Sequence, residues 1–244
     1  MSKLRLLVQG ACGRMGRAVL EAAALQPDCS VIGGVDVRRC ELPVPYFPSL
    51  EKAPAADVLV DFSSPAATSG TVAWCRRTRT PLVLCATGHT PQQQAEVNAL
   101  AREVPVFQSA NLSPGIYVLA QLVRTAARLL PEYDIELVER HHRGKRDAPS
   151  GTALMLASAC GPRDRVYGRS PESPTRSPDE IGIHAVRGGT IFGEHELLFA
   201  GPQETLTLTH RAESRELFAR GALRAARLIV KKQTGMYTME DLMR

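Results

Sequence analysis

The opening of the chain limits its fold more than any other part. A short apolar run, Leu4-Arg-Leu-Leu-Val8, passes into a turn made of Gly10, Ala11, Cys12, Gly13, Arg14, Met15 and Gly16, and then into an alanine-rich stretch reaching about Leu25. This succession reads as strand, tight turn, helix. Glycines there allow a sharp reversal, close approach of a pyrophosphate to the backbone and close packing of helix on strand, while the helix N-terminus offers partial positive charge. The spacing is G-x-x-G-x-x-G rather than the commoner G-x-G-x-x-G, and a glycine triplet alone is a weak signal. Context strengthens it. Val31-Ile-Gly-Gly-Val35 reads as a second strand, and Asp36 stands about twenty residues beyond Gly16, where a carboxylate can grip the hydroxyls of an adenosine ribose. A plain strand-end turn is the weaker reading of Asp36. Arg38 and Arg39 follow, and a guanidinium there can pair with an extra ribose phosphate, so NADH and NADPH both remain open.

Further along, prolines and low periodicity over 41–55 suggest a surface connection, and Asp57-Val-Leu-Val-Asp-Phe62 reads as a buried parallel strand. A helix is expected over 65–77, a strand over 81–86, a helix over 91–102 with Thr90 as N-cap, a strand over 104–107 and a long helix over 114–130. The polypeptide then changes character. A strand over 135–140, a helix over 151–159 and a Pro/Ser/Arg-rich loop over 162–178 precede three strand-like runs at 181–186, 194–199 and 204–210. Ser214 is read as the cap of a last helix reaching about Lys232. The expected architecture is α/β: a Rossmann-type parallel sheet formed by 1–112 and 214–244, and a smaller α+β substrate and oligomerisation domain with a mixed sheet over 113–213.

Chemistry concentrates in Glu139-Arg-His-His-Arg-Gly-Lys-Arg-Asp-Ala-Pro-Ser-Gly-Thr-Ala153. If the preceding run is a strand, the adjacent His141 and His142 point to opposite faces and do different jobs. Gly144 lets the loop turn the Lys145 ammonium back toward an imidazole. Pro149 and Ser150 look like a helix entry, with Ser150 as N-cap and the amides around Gly151 and Thr152 offered to an anion. A solvated basic loop before an ordinary capped helix is the bland reading, and it would suffice for a lone His or Lys. Here a proton-active pair, an ammonium and an anion-binding helix start converge after a strand, where α/β enzymes place their chemistry.

The same segment resembles the E-x-H-H-x-x-K-x-D-A-P-S-G-T-A signature of the dihydrodipicolinate reductase family of lysine and diaminopimelate biosynthesis. The resemblance extends over nearly the whole chain. It includes the G-x-x-G-R-M-G turn, Phe62-Ser63-Ser64-Pro65, the loop Cys85-Ala-Thr-Gly88, the run Ser109-Ala-Asn-Leu-Ser-Pro-Gly115 and the closing Gly235-Met-Tyr-Thr-Met-Glu-Asp-Leu242. Cys85 and Ala86 depart from the family's G-T pair, and Leu112 stands where an aromatic residue is usual. What the resemblance implies is reduction of 4-hydroxy-tetrahydrodipicolinate to tetrahydrodipicolinate by NAD(P)H, without a metal. It makes His141 the proton donor with Lys145 as partner, and gives the substrate carboxylates to His142, Lys145, Gly151 and Thr152. The cofactor falls to residues of the glycine turn, to Asp36 and Arg38, to Phe62, to Ala86, Thr87 and Gly88, and to Ser109, Ala110, Asn111 and Leu112. For Asn111 a turn-stabilising role is nearly as strong a reading. Arg187, in Arg187-Gly-Gly-Thr-Ile-Phe-Gly-Glu-His195, meets a carboxylate or stabilises a hairpin. The resemblance also implies a homotetramer formed through the second domain.

Composition narrows the alternatives. With 244 residues and 44% hydrophobic content the chain can bury a sizeable core. The net charge of +5 invites a nucleic-acid reading, but the basic residues are scattered and only five Tyr, six Phe and one Trp are available for stacking. A small acidic ligand explains the balance equally well. Six cysteines without C-x-x-C spacing, no leader and no apolar run of membrane length are read as reduced thiols in a cytoplasmic protein. Two rivals stand beside the reductase: another two-domain NAD(P) oxidoreductase acting on an amino or hydroxy acid, and a catalytically silent nucleotide sensor. The His-His-Lys segment argues against the first. The second would be expected to lose His141 and Lys145, and both are present.

Overall fold

The computed structural model describes residues 3–244, which divide into two compact units. One takes the described residues up to Leu112 together with Arg215–Arg244, the other Ser113–Ser214. In the first unit β1 (Leu4–Gln9) leads through the glycine turn into α1 (Arg14–Ala24), then β2 (Cys29–Val35), β3 (Tyr46–Phe47) and β4 (Val58–Asp61). There follow α2 (Thr68–Thr78), β5 (Leu82–Leu84), α3 (Pro91–Leu100) and β6 (Pro105–Gln108). The strands pair in parallel in the order β6-β5-β4-β1-β2-β3. Chain order therefore reverses at β1, which lies between β4 and β2. Ligands of such sheets bind at the carboxyl ends of the strands beside this reversal, because neighbouring connections there leave on opposite faces. Leu6, Leu7, Val8, Val58, Leu59 and Val60 have no exposed surface, so these strands are buried on both faces, as a parallel sheet between helix layers requires.

The second unit begins with α4 (Pro114–Leu129), whose N-cap Ser113 accepts the Ile116 amide on its hydroxyl. It continues with β7 (Asp134–His141), α5 (Gly151–Ala159), β8 (Asp164–Tyr167), β9 (Glu180–Arg187), β10 (Gly193–Ala200) and β11 (Thr205–Ala212). These strands form a mixed sheet in the order β11-β10-β7-β9-β8, antiparallel across β11-β10-β7 and parallel across β7-β9-β8. On β7 every second residue is buried: Ile135, Leu137, Glu139 and His141 share one face. Ile135 and Leu137 pack in the core with Ile181 and Ile183 of β9, Leu197 and Phe199 of β10, and the inner faces of α4 and α5. Glu139 and His141 continue the same buried stripe at its polar end.

The chain re-enters the first unit through α6 (Glu216–Ile229), adds β12 (Gly235–Tyr237) in parallel beside β6 and closes with α7 (Met239–Met243). Four expectations are corrected. The stretch 41–55 contains the edge strand β3, and the loop 162–178 contains the edge strand β8; both are short and carry no apolar alternation that would reveal them. Ser214 does not cap α6, whose N-cap position is Arg215 with no side-chain cap bond. Finally, the cysteines are not all free thiols. Cys12 and Cys40 form a disulfide across 28 residues, because parallel pairing of β1 with β2 brings the two segments that follow them together. A search for short C-x-x-C spacing misses a pair made this way. Cys29, Cys75, Cys85 and Cys160 are free and buried, and burial pushes the Cys160 thiol up to about 12.

Candidate active site

At the switch point of the first unit a cavity of about 590 Å³ opens between the turn after β1 and the turn after β4. Gly10 has φ +75°, and a Cβ there would lie 2.7 Å from the carbonyl carbon of Phe62. A Cβ on Gly16 would run into the backbone of Gly10 and Ala11. The glycine spacing is thus a steric demand of this turn. Gly13 takes the N-cap position of α1 with no side chain bonding the first turn, which leaves that end open to a phosphate. Asp36, buried at the end of β2, accepts the amide of Cys12 on one carboxylate oxygen at 3.0 Å and that of Arg38 on the other at 2.9 Å. Each oxygen keeps a further acceptor position for a ribose hydroxyl. The Arg38 side chain is 73% exposed beside it. Asp61 fixes the far wall by accepting the Ser63 amide at 2.8 Å, and burial pushes its carboxyl up.

Gly10, Gly13, Asp36, Arg38 and Phe62 line this one cavity; of the residues expected at the nicotinamide end Phe62 is thus in its wall, whereas Ala86, Thr87, Gly88, Ser109, Ala110, Asn111 and Leu112 lie outside it, on the loops after β5 and β6. Ala86 is buried, Thr87 and Gly88 are exposed, and Gly88 has φ +86°. Ser109 and Asn111 close a turn on each other: the Ser109 hydroxyl donates to the Asn111 carbonyl at 2.6 Å and accepts its amide at 3.2 Å. Leu112 is buried under α6, where a Cβ on Gly221 would strike it. A dinucleotide fits the donor set present. The glycines leave the turn open to close approach of a pyrophosphate, the α1 start carries no side-chain cap, and the Asp36 carboxylate and Arg38 side chain border the same cavity.

In the second unit the end of β7 meets the start of α5. Ser150 caps α5, accepting the Ala153 amide on its hydroxyl at 3.1 Å. A Cβ added to Gly151 would meet nothing within 4 Å, so the helix start has open space beside it. His141 is 8% exposed, and its Nδ1 faces the Glu139 carboxylate at 2.5 Å. Its Nε2 faces Gly193, where a Cβ would come within 3.0 Å. His142, one step along, is only partly buried, as alternation requires. The loop is pinned to the turn after β9 by the Gly188 amide on the His141 carbonyl and the Arg143 amide on the Gly189 carbonyl. Lys145 pairs with Asp147 at 2.9 Å, not with an imidazole. Burial raises the Asp147 carboxyl, but the Lys145 ammonium outweighs it and holds the group low.

Two residues to which the sequence reading gave no task prove central here. Glu139 has no exposed surface. Besides His141 it receives both terminal nitrogens of Arg187, at 2.7 and 2.8 Å, and the Ser150 amide at 3.0 Å. Burial alone would raise its pKa, but hydrogen bonds from His141 and Arg187 more than reverse this and hold it at about 2. Arg187 therefore does meet a carboxylate, and it is the protein's own. His195 of β10, opposite Glu139 in the sheet register, stacks edge-on against His141 with ring centroids 5.3 Å apart, and its Nε2 lies 3.1 Å from the Ser150 hydroxyl. Burial, then the neighbouring His141, lowers its pKa to about 3, so it is neutral at ordinary pH. The signal for Glu139 was available: the alternation Ile135, Leu137, Glu139, His141 puts a carboxylate into a buried stripe. For His195 no local pattern distinguishes a core histidine from a site histidine.

Comparison with known proteins places both halves of the chain in one family. The family model for the dihydrodipicolinate reductase N-terminus matches residues 4–112, and that for the C-terminus matches 115–243. A 4-hydroxy-tetrahydrodipicolinate reductase of Caldanaerobacter subterraneus subsp. tengcongensis is 44% identical over 99% of this chain and 98% of its own length. One from Methanocorpusculum labreanum is 40% identical over 98% and 99%. Among solved structures, a dipicolinate-bound dihydrodipicolinate reductase from Paenisporosarcina sp. TG-14 shares the fold with a TM-score of 0.79 at 24% identity, covering 97% of both chains. A diaminopimelate dehydrogenase of C. glutamicum shares it more distantly, with a TM-score of 0.60 at 16% identity over 99% and 96% of the two chains. With both halves matched by their own models and relatives above 40% identity along almost the entire length, the chain belongs to the dihydrodipicolinate reductase family.

Proposed function

We propose that this chain reduces 4-hydroxy-tetrahydrodipicolinate to tetrahydrodipicolinate with NADPH or NADH, in the diaminopimelate route to lysine. The observation that carries the reading is the buried His141, held at Nδ1 beside the Ser150-capped start of α5, in a chain of this family. The 4-hydroxyl of the substrate leaves with a proton from the adjacent carbon as water, and the nicotinamide, when bound, would supply a hydride to the β-carbon of the cyclic unsaturated imine so formed. The enamine left behind needs a proton at the neighbouring carbon, and His141 is the donor: imidazole titrates near neutrality, and with Nδ1 turned to Glu139 its Nε2 is the atom that gives the proton. Lys145 aids that transfer and neutralises a substrate carboxylate, with His142, Gly151 and Thr152 holding the carboxylates at the α5 start. On the nucleotide side the turn from Gly10 to Gly16 receives the pyrophosphate, and Arg14 reaches toward it. Asp36 and Arg38 take the adenosine ribose, and the loops carrying Phe62, Ala86, Thr87, Gly88, Ser109, Ala110, Asn111 and Leu112 take the nicotinamide end. A cytoplasmic setting and a homotetramer formed through the mixed sheet belong to the same proposal, and light scattering checks the tetramer.

The reaction is tested by NADPH oxidation with substrate made in place from pyruvate and aspartate semialdehyde by the preceding enzyme. Oxidation should require both precursors, and planar dipicolinate should compete with substrate. His141→Gln and Lys145→Met should each lower kcat by about 10²-fold or more, leaving NADPH affinity nearly unchanged, and Lys145→Met should raise KM further than His141→Gln does. Near-normal kcat in both variants with weakened NADPH binding would make the segment a structural loop and place the chemistry elsewhere.

A further inference from the structure

Glu139 touches both the proposed proton donor and the start of α5, where the carboxylate site is proposed. Strand alternation commits it to the helix-covered face of β7, where an unpaired carboxylate would cost several kcal/mol. It is kept there by four donors. Oε2 takes Nδ1 of His141 and Nη1 of Arg187, while Oε1 takes Nη2 of Arg187 and the backbone amide of Ser150. Arg187 is fastened in turn to the Asp147 carbonyl at 2.6 Å, in the loop that carries Lys145. One carboxylate thus spans the ring that gives the proton and the residue that opens α5.

The charges around His141 come from each element packed on it. Glu139 lies on its own strand, Arg187 on β9, and His195 on β10 with His210 of β11 paired beside it. Lys145, paired with Asp147, stands in the following loop. His195 and His210 both have lowered pKa values through burial, so neither adds charge near neutrality. Among the fixed charges near the ring system, the Glu139 carboxylate is in direct contact with it, the Arg187 guanidinium stands behind that carboxylate, and the Lys145 ammonium of the following loop is paired with Asp147.

We propose that Glu139 is a positioning residue which orients His141 and favours its protonated ring, with Arg187 as the opposing charge that limits this bias. The proposal rests on the reading of His141 as proton donor. It gives Arg187 a purpose that a hairpin contact would not, since a guanidinium behind the carboxylate weakens the hold of Glu139 on the imidazolium without breaking the hydrogen bond. Glu139→Gln and Arg187→Met are then expected to act in opposite directions on the same proton.

The experiment is the pH dependence of kcat for wild type, Glu139→Gln, Arg187→Met and the double variant, with calorimetric binding of NADPH and dipicolinate as a check of the folded state. A general acid loses activity as pH rises through its titration, so the high-pH limb is the readout. Glu139→Gln should lower kcat near neutrality by about 10²-fold and move that limb down by about one unit or more. Dipicolinate should still bind, because the glutamine oxygen can accept the Ser150 amide. Arg187→Met should move the limb up, and the double variant should fall between the two. If Glu139→Gln does not fold, the upward shift in Arg187→Met alone carries the test. Limbs that stay in place, or shift in the same direction, in variants that bind NADPH normally overturn the proposal while leaving the reaction intact. An inactive wild type overturns both.

Discussion

Two helix starts in this molecule both suit an anion, and they are made in different ways. The start of α1 is built from absence: Gly10 and Gly16 are required because a Cβ would strike backbone, a Cβ on Gly13 would be tight against the Gly10 carbonyl, and no side chain caps the first turn. The start of α5 is built from side chains delivered by several strands: Ser150 caps it, Glu139 of β7 holds Ser150, Arg187 of β9 holds Glu139, and His195 of β10 holds the Ser150 hydroxyl. A backbone-built site suits a pyrophosphate, which asks only for close approach and partial positive charge. A side-chain-built site can also manage a proton, because its charges are placed one by one.

This contrast is open to attack, and the largest effect is expected at the backbone-built end. Gly16→Val forces a branched side chain into the carbonyl of Gly10 and the backbone of Ala11, so NADPH and NADH binding should both be lost. Calorimetry that finds either nucleotide bound with near wild-type affinity would show that the turn does not depend on the missing Cβ.

Next comes a pH effect at the side-chain-built end. His195 has its pKa lowered from 6.5 to about 3 in the folded chain. The unfolded chain takes up this proton near 6.5, so between those values the unfolded state binds more protons and stability falls as pH drops. Glu139 acts in a lower window: its contribution is present above 4.5 and is lost as pH falls toward about 2. Urea unfolding should therefore show stability falling from pH 7 to pH 5, with about 2 kcal/mol of the loss removed by His195→Gln. An unchanged slope in that variant would mean the imidazole is protonated and accommodated in the fold.

Ser150→Ala should cost about 1 kcal/mol of stability, the usual worth of an N-cap, and raise the substrate KM without altering nucleotide affinity. A change in nucleotide affinity alone would argue against assigning the α5 start to the substrate. The smallest effect belongs to Arg38→Ala. Its side chain is largely exposed, so NADPH should bind only about five- to tenfold more weakly while NADH is nearly unaffected. Equal weakening of both would remove Arg38 from phosphate recognition.

How much could be read in advance follows the same division. The glycine turn, Asp36, the parallel strands and the Ser150 cap are local: each depends on residues within a few positions or on the spacing of one strand–turn–helix unit. They were legible together with the signature segment. The edge strands β3 and β8 were not, since two to four residues without alternation acquire strand geometry only from a neighbour. The start of α6 carries no capping side-chain bond, and its N-cap position falls at Arg215, one residue beyond Ser214, so a capping residue type nearby does not mark the boundary.

By itself the sequence determined a Rossmann-type α/β unit, a second unit with a mixed sheet and a capped helix start within the signature segment, because glycine sterics, hydrophobic periodicity and helix capping act over short distances. Only the tertiary structure decided that Arg187 and His195 meet Glu139 and His141, because they lie on neighbouring strands brought together by sheet register. It likewise decided that Cys12 and Cys40 are joined, through the parallel pairing of β1 and β2. A side chain's neighbours on its own helix or turn are fixed by its position in the chain, whereas its neighbours across a sheet are fixed by which strands pair and at what offset, and no single stretch of sequence contains that offset.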